Sequence, residues 1–93
     1  MAVYLIAYDL LAPEQPYPPL VDRLEGLGAV RVLESTWLLE STEEAREIGR
    51  NLRSILDEDD GLLVVEVARH AFARELRTDS TVLRRLLGSA RQP

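Results

Sequence analysis

Residues 29–40 read Ala-Val-Arg-Val-Leu-Glu-Ser-Thr-Trp-Leu-Leu-Glu. Ala29–Glu34 and Thr36–Glu40 are rich in branched and aromatic side chains, which fit a pleated, half-buried surface, so the stretch reads as two short strands. Only Glu34, Ser35 and Thr36 lie near the join. A hairpin here has to be very tight or bulged, and a single bent strand is the competing reading. If it is a hairpin, its flanks decide the fold.

Upstream, Ala2–Asp9 (AVYLIAYD) is a strand by composition. Val3, Leu5 and Ala7 alternate with Tyr4, Ile6 and Tyr8, so both faces are apolar and the strand belongs inside a sheet. Leu10–Pro19 holds Pro13, Pro16, Pro18 and Pro19 and must be an irregular connector. Pro18 and Pro19 are tolerated in a first helical turn, whose N–H groups have no partner. The spacing of Leu20, Val21, Leu24 and Leu27 predicts a helix that stops at Gly28. Downstream, Ser41 or Thr42 is the expected N-cap, with Glu43, Glu44 and Glu47 near the positive end of the helix dipole. Ala45, Ile48, Leu52, Ile55 and Leu56 form its apolar stripe, and Glu47 and Arg50 pair outside it. Asp57–Gly61 (DEDDG) breaks the helix, and Leu62–Val67 (LLVVEV) follows as a buried strand interrupted only by Glu66.

The order β-α-β-β-α-β predicts an α+β, ferredoxin-like sandwich over residues 1–67, with both helices on one face of a four-stranded antiparallel sheet. The other face is expected to be open and apolar, presenting Tyr4, Ile6 and Tyr8 to a partner. Residues 68–93 are a C-terminal tail with a short helix from about Ser80. Its Val82, Leu83, Leu86 and Leu87 recur at helical spacing and are expected to cover a sheet face of this chain or of a dimer partner, with Arg84, Arg85 and Arg91 near acidic surface. Trp37 is expected in the core or at a dimer seam.

Composition narrows the function classes. At 93 residues and 10.5 kDa, one core is what the chain can build. Without cysteine, disulfides, thiolate metal sites and redox motifs are excluded. The single histidine, His70, excludes a two-histidine zinc site within one chain and is otherwise a surface or tail residue. No apolar run approaches the roughly 20 residues that span a bilayer, and no export leader is visible, so a cytoplasmic location without membrane contact is expected. All 11 basic residues are arginine. Residues 1–68 hold 5 Arg against 14 acidic residues, a net of −9, while residues 69–93 hold 6 Arg against 2, a net of +4. Nucleic-acid affinity rests on neutralising phosphates, so the acidic body disfavours such a partner. The basic tail could touch phosphates or lie on the acidic body of its own dimer.

Asp9 is the first candidate for chemistry. It closes an apolar strand and is held on one side by rigid neighbours. Mg²⁺ takes one or two carboxylates and keeps several waters, so Asp9 can serve as a ligand; equally, a strand-end Asp satisfies turn amides. Ser35 and Thr36, with Glu34, sit where a hairpin would expose them at a sheet end, although such hydroxyls usually bond the local backbone. Asp57–Asp60 is not a calcium loop, because Gly61 falls one position early and Leu62 stands next.

Tyr4-Leu5-Ile6-Ala7-Tyr8-Asp9-Leu10 resembles the opening strand of the CRISPR-associated Cas-two family, which ends in Tyr-Asp and an apolar residue. Arg31-Val32-Leu33-Glu34-Ser35-Thr36-Trp37-Leu38-Leu39-Glu40 is similar to that family's second block, where Arg-Val-Gln precedes a Ser and then an aromatic residue. The likeness spans roughly residues 2–67. Closer still are the small Cas-two-like proteins often labelled SinR family, with Tyr-Leu-Ile-x-Tyr-Asp-Leu and Ser-Thr-Trp-Leu; related VapD-type proteins belong to toxin–antitoxin systems. The resemblance implies a homodimer packed through sheet faces, in which the Asp closing the first strand of each subunit, here Asp9, holds Mg²⁺ between them. Tyr8, Ser35 and Thr36 are the neighbouring site positions. Two family features are absent: the basic run before the first helix is replaced by Pro13, Glu14, Gln15, Pro16 and Pro18, and the Gln of Arg-Val-Gln is Leu33.

Three functions follow as expectations. One is a Mg²⁺-dependent endonuclease cleaving RNA or DNA, in CRISPR or toxin–antitoxin type antiviral defence. The second is a non-catalytic nucleic-acid scaffold that uses the tail arginines. The third is a dimeric protein-binding or regulatory module.

Overall fold

The computed structural model describes residues 1–10, 18–67, 78 and 80–86. Seven elements follow one another: β1 (Ala2–Asp9), α1 (Pro18–Gly26), β2 (Val30–Leu33), β3 (Thr36–Ser41), α2 (Ala45–Arg53), β4 (Gly61–Glu66) and α3 (Ser80–Leu86). The fold is α+β. Its strands form one four-stranded antiparallel sheet in the order β2-β3-β1-β4. β1 is interior, pairing with β3 through Ile6 and Trp37 and with β4 through Tyr4 and Glu66.

The stretch from 29 to 40 is a hairpin and not a bent strand. Glu34 and Ser35 make the turn, and the register shifts between Arg31 and Leu33, so the tight join is accommodated by a bulge. Helix α1 ends at Gly26, one residue before the expected Leu27, and the glycine stop follows it. Gly28 adopts φ +88°, a conformation in which only glycine avoids Cβ strain. The Gly28 N–H then donates to the Glu25 carbonyl and the Ala29 N–H to that of Leu24, capping the last turn.

Side-chain alternation divides the apolar residues between two clusters. On one face Tyr4, Ile6, Tyr8, Trp37 and Leu39 pack with Leu20 and Leu24 of α1 and Ile48 and Leu52 of α2. Arg23 ties the helices together by donating to the Asn51 side chain. On the other face Val3, Val32 and Leu38 pack with Leu86 of α3, and Leu5, Val30, Val67 and Val82 border them.

Several expectations are corrected. Tyr4, Ile6 and Tyr8 do not line the open face; α1 and α2 cover them, and the opposite face carries Val3, Leu5 and Ala7. Both sets were apolar, so alternation alone left open which one met the helices. Strand β4 is not buried. It lies at the sheet edge, with Leu63 55% and Val65 38% exposed. It also starts at Gly61 rather than Leu62. Leu27 falls beyond the last turn of α1 and is exposed. Neither Ser41 nor Thr42 caps α2. Ser41 ends β3, its Oγ accepts from the Glu43 N–H at 3.0 Å, and Glu44 takes the cap position without a side-chain hydrogen bond. The helix ends at Arg53, so Ile55 and Leu56 pack against the core from the turn that follows.

In α3, Leu86 is buried and Val82 half-buried, and Arg85 pairs with Glu40 of β3 at 3.6 Å. His70, Leu87 and Arg91, and the side chains of Leu83 and Arg84, lie outside the described residues. No helix among the described residues is long and apolar enough to cross a membrane.

Candidate functional site

The residues singled out from the sequence lie at one end of the sheet. β1 runs out at Tyr8 and Asp9, where the β2–β3 turn arrives from one side and the start of β4 from the other. The Tyr8 N–H donates to the Ser35 carbonyl at 3.1 Å, Thr36 lies opposite Ala7, and Asp9 lies opposite Gly61. Pairing with Gly61 leaves room beside Asp9: a Cβ added there would stand 3.4 Å from the Asp9 Cβ. Ala7, Tyr8, Asp9, Gly61, Leu62 and Leu63 line a shallow depression of about 280 Å³ at this corner.

Adjacent in sequence, Tyr8 and Asp9 point to opposite faces because strand side chains alternate. Asp9 is exposed and shares the side of Leu5, Ala7 and Leu63, away from α1 and α2. No hydrogen bond or ion pair engages its carboxylate among the described residues. A free carboxylate on a rigid strand end has the donor chemistry Mg²⁺ prefers. Among the described residues no group of three or more His, Cys, Asp or Glu could hold a metal. Ser35 and Thr36 are half-buried, the Ser35 contact runs through its backbone, and among the described residues neither hydroxyl has a side-chain partner.

Tyr8 faces the helices and joins a polar constellation that composition did not reveal. The Trp37 Nε1–H donates to the Tyr8 hydroxyl at 3.0 Å, and Arg31 Nη2 donates to the same oxygen at 3.4 Å. The Arg31 guanidinium lies over the Trp37 ring, 4.9 Å from its centroid, in cation–π contact. Its Nε is buried with no hydrogen-bond partner. Arg31 and Trp37 are directly opposite in the β2–β3 register. The sequence offered a signal for this: a basic and an aromatic residue six apart across a short hairpin. The bulge hid it, because one inserted residue changes which face Arg31 takes.

At the opposite end of β1, Tyr4 is buried beside Glu66 and Glu44. Burial first, then the charges of Glu66 and Glu44, push its phenol above the ordinary value of 10.0.

No protein family matches the chain, and no curated protein or solved structure is significantly similar to it.

Proposed function

We propose that the chain is a ferredoxin-like homodimer of the Cas-two-like type, acting in the cytoplasm as a Mg²⁺-dependent endonuclease in CRISPR or toxin–antitoxin type defence. The strand order β2-β3-β1-β4, with α1 and α2 on one face, supports the ferredoxin-like reading. The motifs Tyr8-Asp9-Leu10 and Ser35-Thr36-Trp37-Leu38 support the superfamily. One observation carries the activity: the Asp9 carboxylate, unengaged among the described residues, stands on the sheet side that also exposes Leu63 and Val65. A second copy seated on that apolar strip brings two Asp9 carboxylates toward one another. Two negative charges at such a seam repel unless a cation lies between them. Asp9 and its symmetry mate would hold Mg²⁺, which when bound supplies Lewis-acid polarisation and an acidified water for phosphodiester hydrolysis. The chain's own part is to fix the two carboxylates on rigid strand ends and to exclude water along the Leu63 strip.

The acidic body favours a second reading. With 5 Arg against 14 acidic residues over positions 1–68, the surface suits a protein partner or a scaffold role better than a phosphate backbone.

The test compares wild type with Asp9→Ala on labelled single-stranded RNA and duplex DNA, with Mg²⁺ and with chelator. Cleavage by wild type with Mg²⁺ alone, lost in Asp9→Ala, supports the nuclease. No cleavage by either protein moves the function to the scaffold or regulatory module, and equal cleavage by both marks a contaminant.

A further inference from the structure

We propose that Arg31 and Tyr8 form an anion site, taking a phosphate-type oxyanion at the helix side of the sheet end, separate from Asp9. The observation is a surplus of donors. A phenolic oxygen has two lone pairs and one proton. Trp37 Nε1 and Arg31 Nη2 both donate into the Tyr8 oxygen, so its acceptor capacity is filled and its own proton turns away from both. No group among the described residues accepts that proton. Arg31 has five N–H donors and spends one of them on Tyr8; its Nε is buried without a partner.

The guanidinium is also uncompensated as a charge. Arg31 is half-buried, so its charge is only partly shielded by water and favours a nearby anion. Residues 1–68 carry 14 carboxylates, yet among the described residues none makes an ion pair with Arg31. The Arg31 Cζ lies over the Trp37 ring, 4.9 Å from its centroid, so the ring holds the guanidinium in place before anything binds. A fixed fork of N–H groups beside an O–H donor, with no acceptor free, recognises an oxyanion. Phosphate presents the most acceptor oxygens to such a set. The ligand is free phosphate or a phosphate carried on a nucleotide; the chemistry is shared.

Tyr8 and Asp9 face opposite sides of β1, so the site stands whether or not Asp9 binds metal. Trp37 is the only tryptophan, and its fluorescence reports on the cation lying over its ring. The experiment titrates inorganic phosphate into the full chain at constant ionic strength, exchanged against chloride, following fluorescence and melting temperature. The expected result is a saturable fluorescence change with a millimolar Kd and a parallel rise in melting temperature, since ligand that binds only the folded state stabilises it by mass action. Arg31→Gln should abolish both, Tyr8→Phe should weaken binding roughly three- to tenfold through loss of one donor, and Asp9→Asn should leave the Kd unchanged. If Arg31→Gln does not fold, Arg31→Lys, which keeps the charge without the fork, gives the same comparison. Uridine 5′-monophosphate against uridine then tells a nucleotide-borne phosphate, bound more tightly than the free ion, from free phosphate itself. A response linear in phosphate, equal in Arg31→Gln, or matched by acetate overturns the proposal. Loss of the response in Asp9→Asn overturns the separation from the metal site.

Discussion

Trp37 Nε1 donates to the Tyr8 hydroxyl at 3.0 Å across 29 positions of sequence, fastening the hairpin to the central strand inside the helix-side core. Because Trp37 is only 2% exposed, losing the acceptor leaves its indole N–H unsatisfied away from water. Tyr8→Phe should therefore destabilise by about 1–3 kcal/mol. Trp37→Phe should destabilise by about 2 kcal/mol or more, because it also leaves a cavity. Either change already breaks the bond, so the double variant should fall short of the sum by about 0.5–3 kcal/mol. Urea denaturation of the four proteins measures this, and strict additivity would show that the hydrogen bond contributes nothing.

Tyr4 gives the alkaline limb of stability a specific origin. Its folded-state pKa lies above the ordinary 10.0 because burial, Glu66 and Glu44 disfavour the phenolate. The folded chain then holds its proton at pH values where the unfolded chain has released it. That contribution is fully present below about pH 10 and is lost as pH rises through the folded pKa. Urea midpoints at pH 8 and pH 10.5 should drop more steeply for wild type than for Tyr4→Phe. Identical slopes would remove Tyr4 as the cause.

The strands and helices were legible because their periodicities differ cleanly: Ala2–Asp9 alternates and Leu20, Leu24, Ile48 and Leu52 recur by turns. Facing was not legible. Val3, Leu5 and Ala7 are as apolar as Tyr4, Ile6 and Tyr8, and which set meets the helices depends on the handedness of the crossovers and on long-range packing. The exposure of β4 was hidden for a related reason. Leu62–Val65 reads as a continuous apolar run, which a buried central strand and an edge strand awaiting a partner share. Asp9 and the β2–β3 turn stand out by position alone, since both end an apolar run. The Arg31–Trp37–Tyr8 contacts required the register, which a bulge shifts by one residue.

Among the described side chains of α3, Leu86 is buried, Val82 is half-buried against the same cluster, and Arg85 makes an exposed ion pair. Leu86 is 4% exposed, whereas the Arg85 and Glu40 side chains are 61% and 40% exposed. Leu86→Ala should lower stability by about 2 kcal/mol, while Arg85→Ala should stay within about 0.5 kcal/mol and its effect should vanish at high salt. Chemical denaturation at low and high ionic strength separates the two. A larger effect for Arg85 than for Leu86 would mean that charge, not apolar burial, docks the helix.

The exposed strip on β4 carries the association of the proposed dimer. Leu63 and Val65 are 55% and 38% exposed on an edge strand that has no proline or lysine to discourage pairing, and its one charge, Glu66, stands at the far end. Sedimentation at micromolar concentration should give twice the 10.5 kDa chain mass. Leu63→Glu should shift the population to monomer, raising the dimer Kd at least tenfold, because it sets two like charges into an apolar seam. It should barely change the stability of the monomer, where position 63 already meets water. Leu27→Glu is the control: Leu27 is 37% exposed on the helix side, and a change there should leave the mass alone. The same pair of variants tests the shared-metal reading without touching Asp9. If two Asp9 carboxylates are needed, Leu63→Glu loses Mg²⁺-dependent cleavage while Leu27→Glu keeps it. Full cleavage by a monomeric Leu63→Glu protein would mean that one Asp9 suffices, and a monomeric wild type would dismiss the dimer itself.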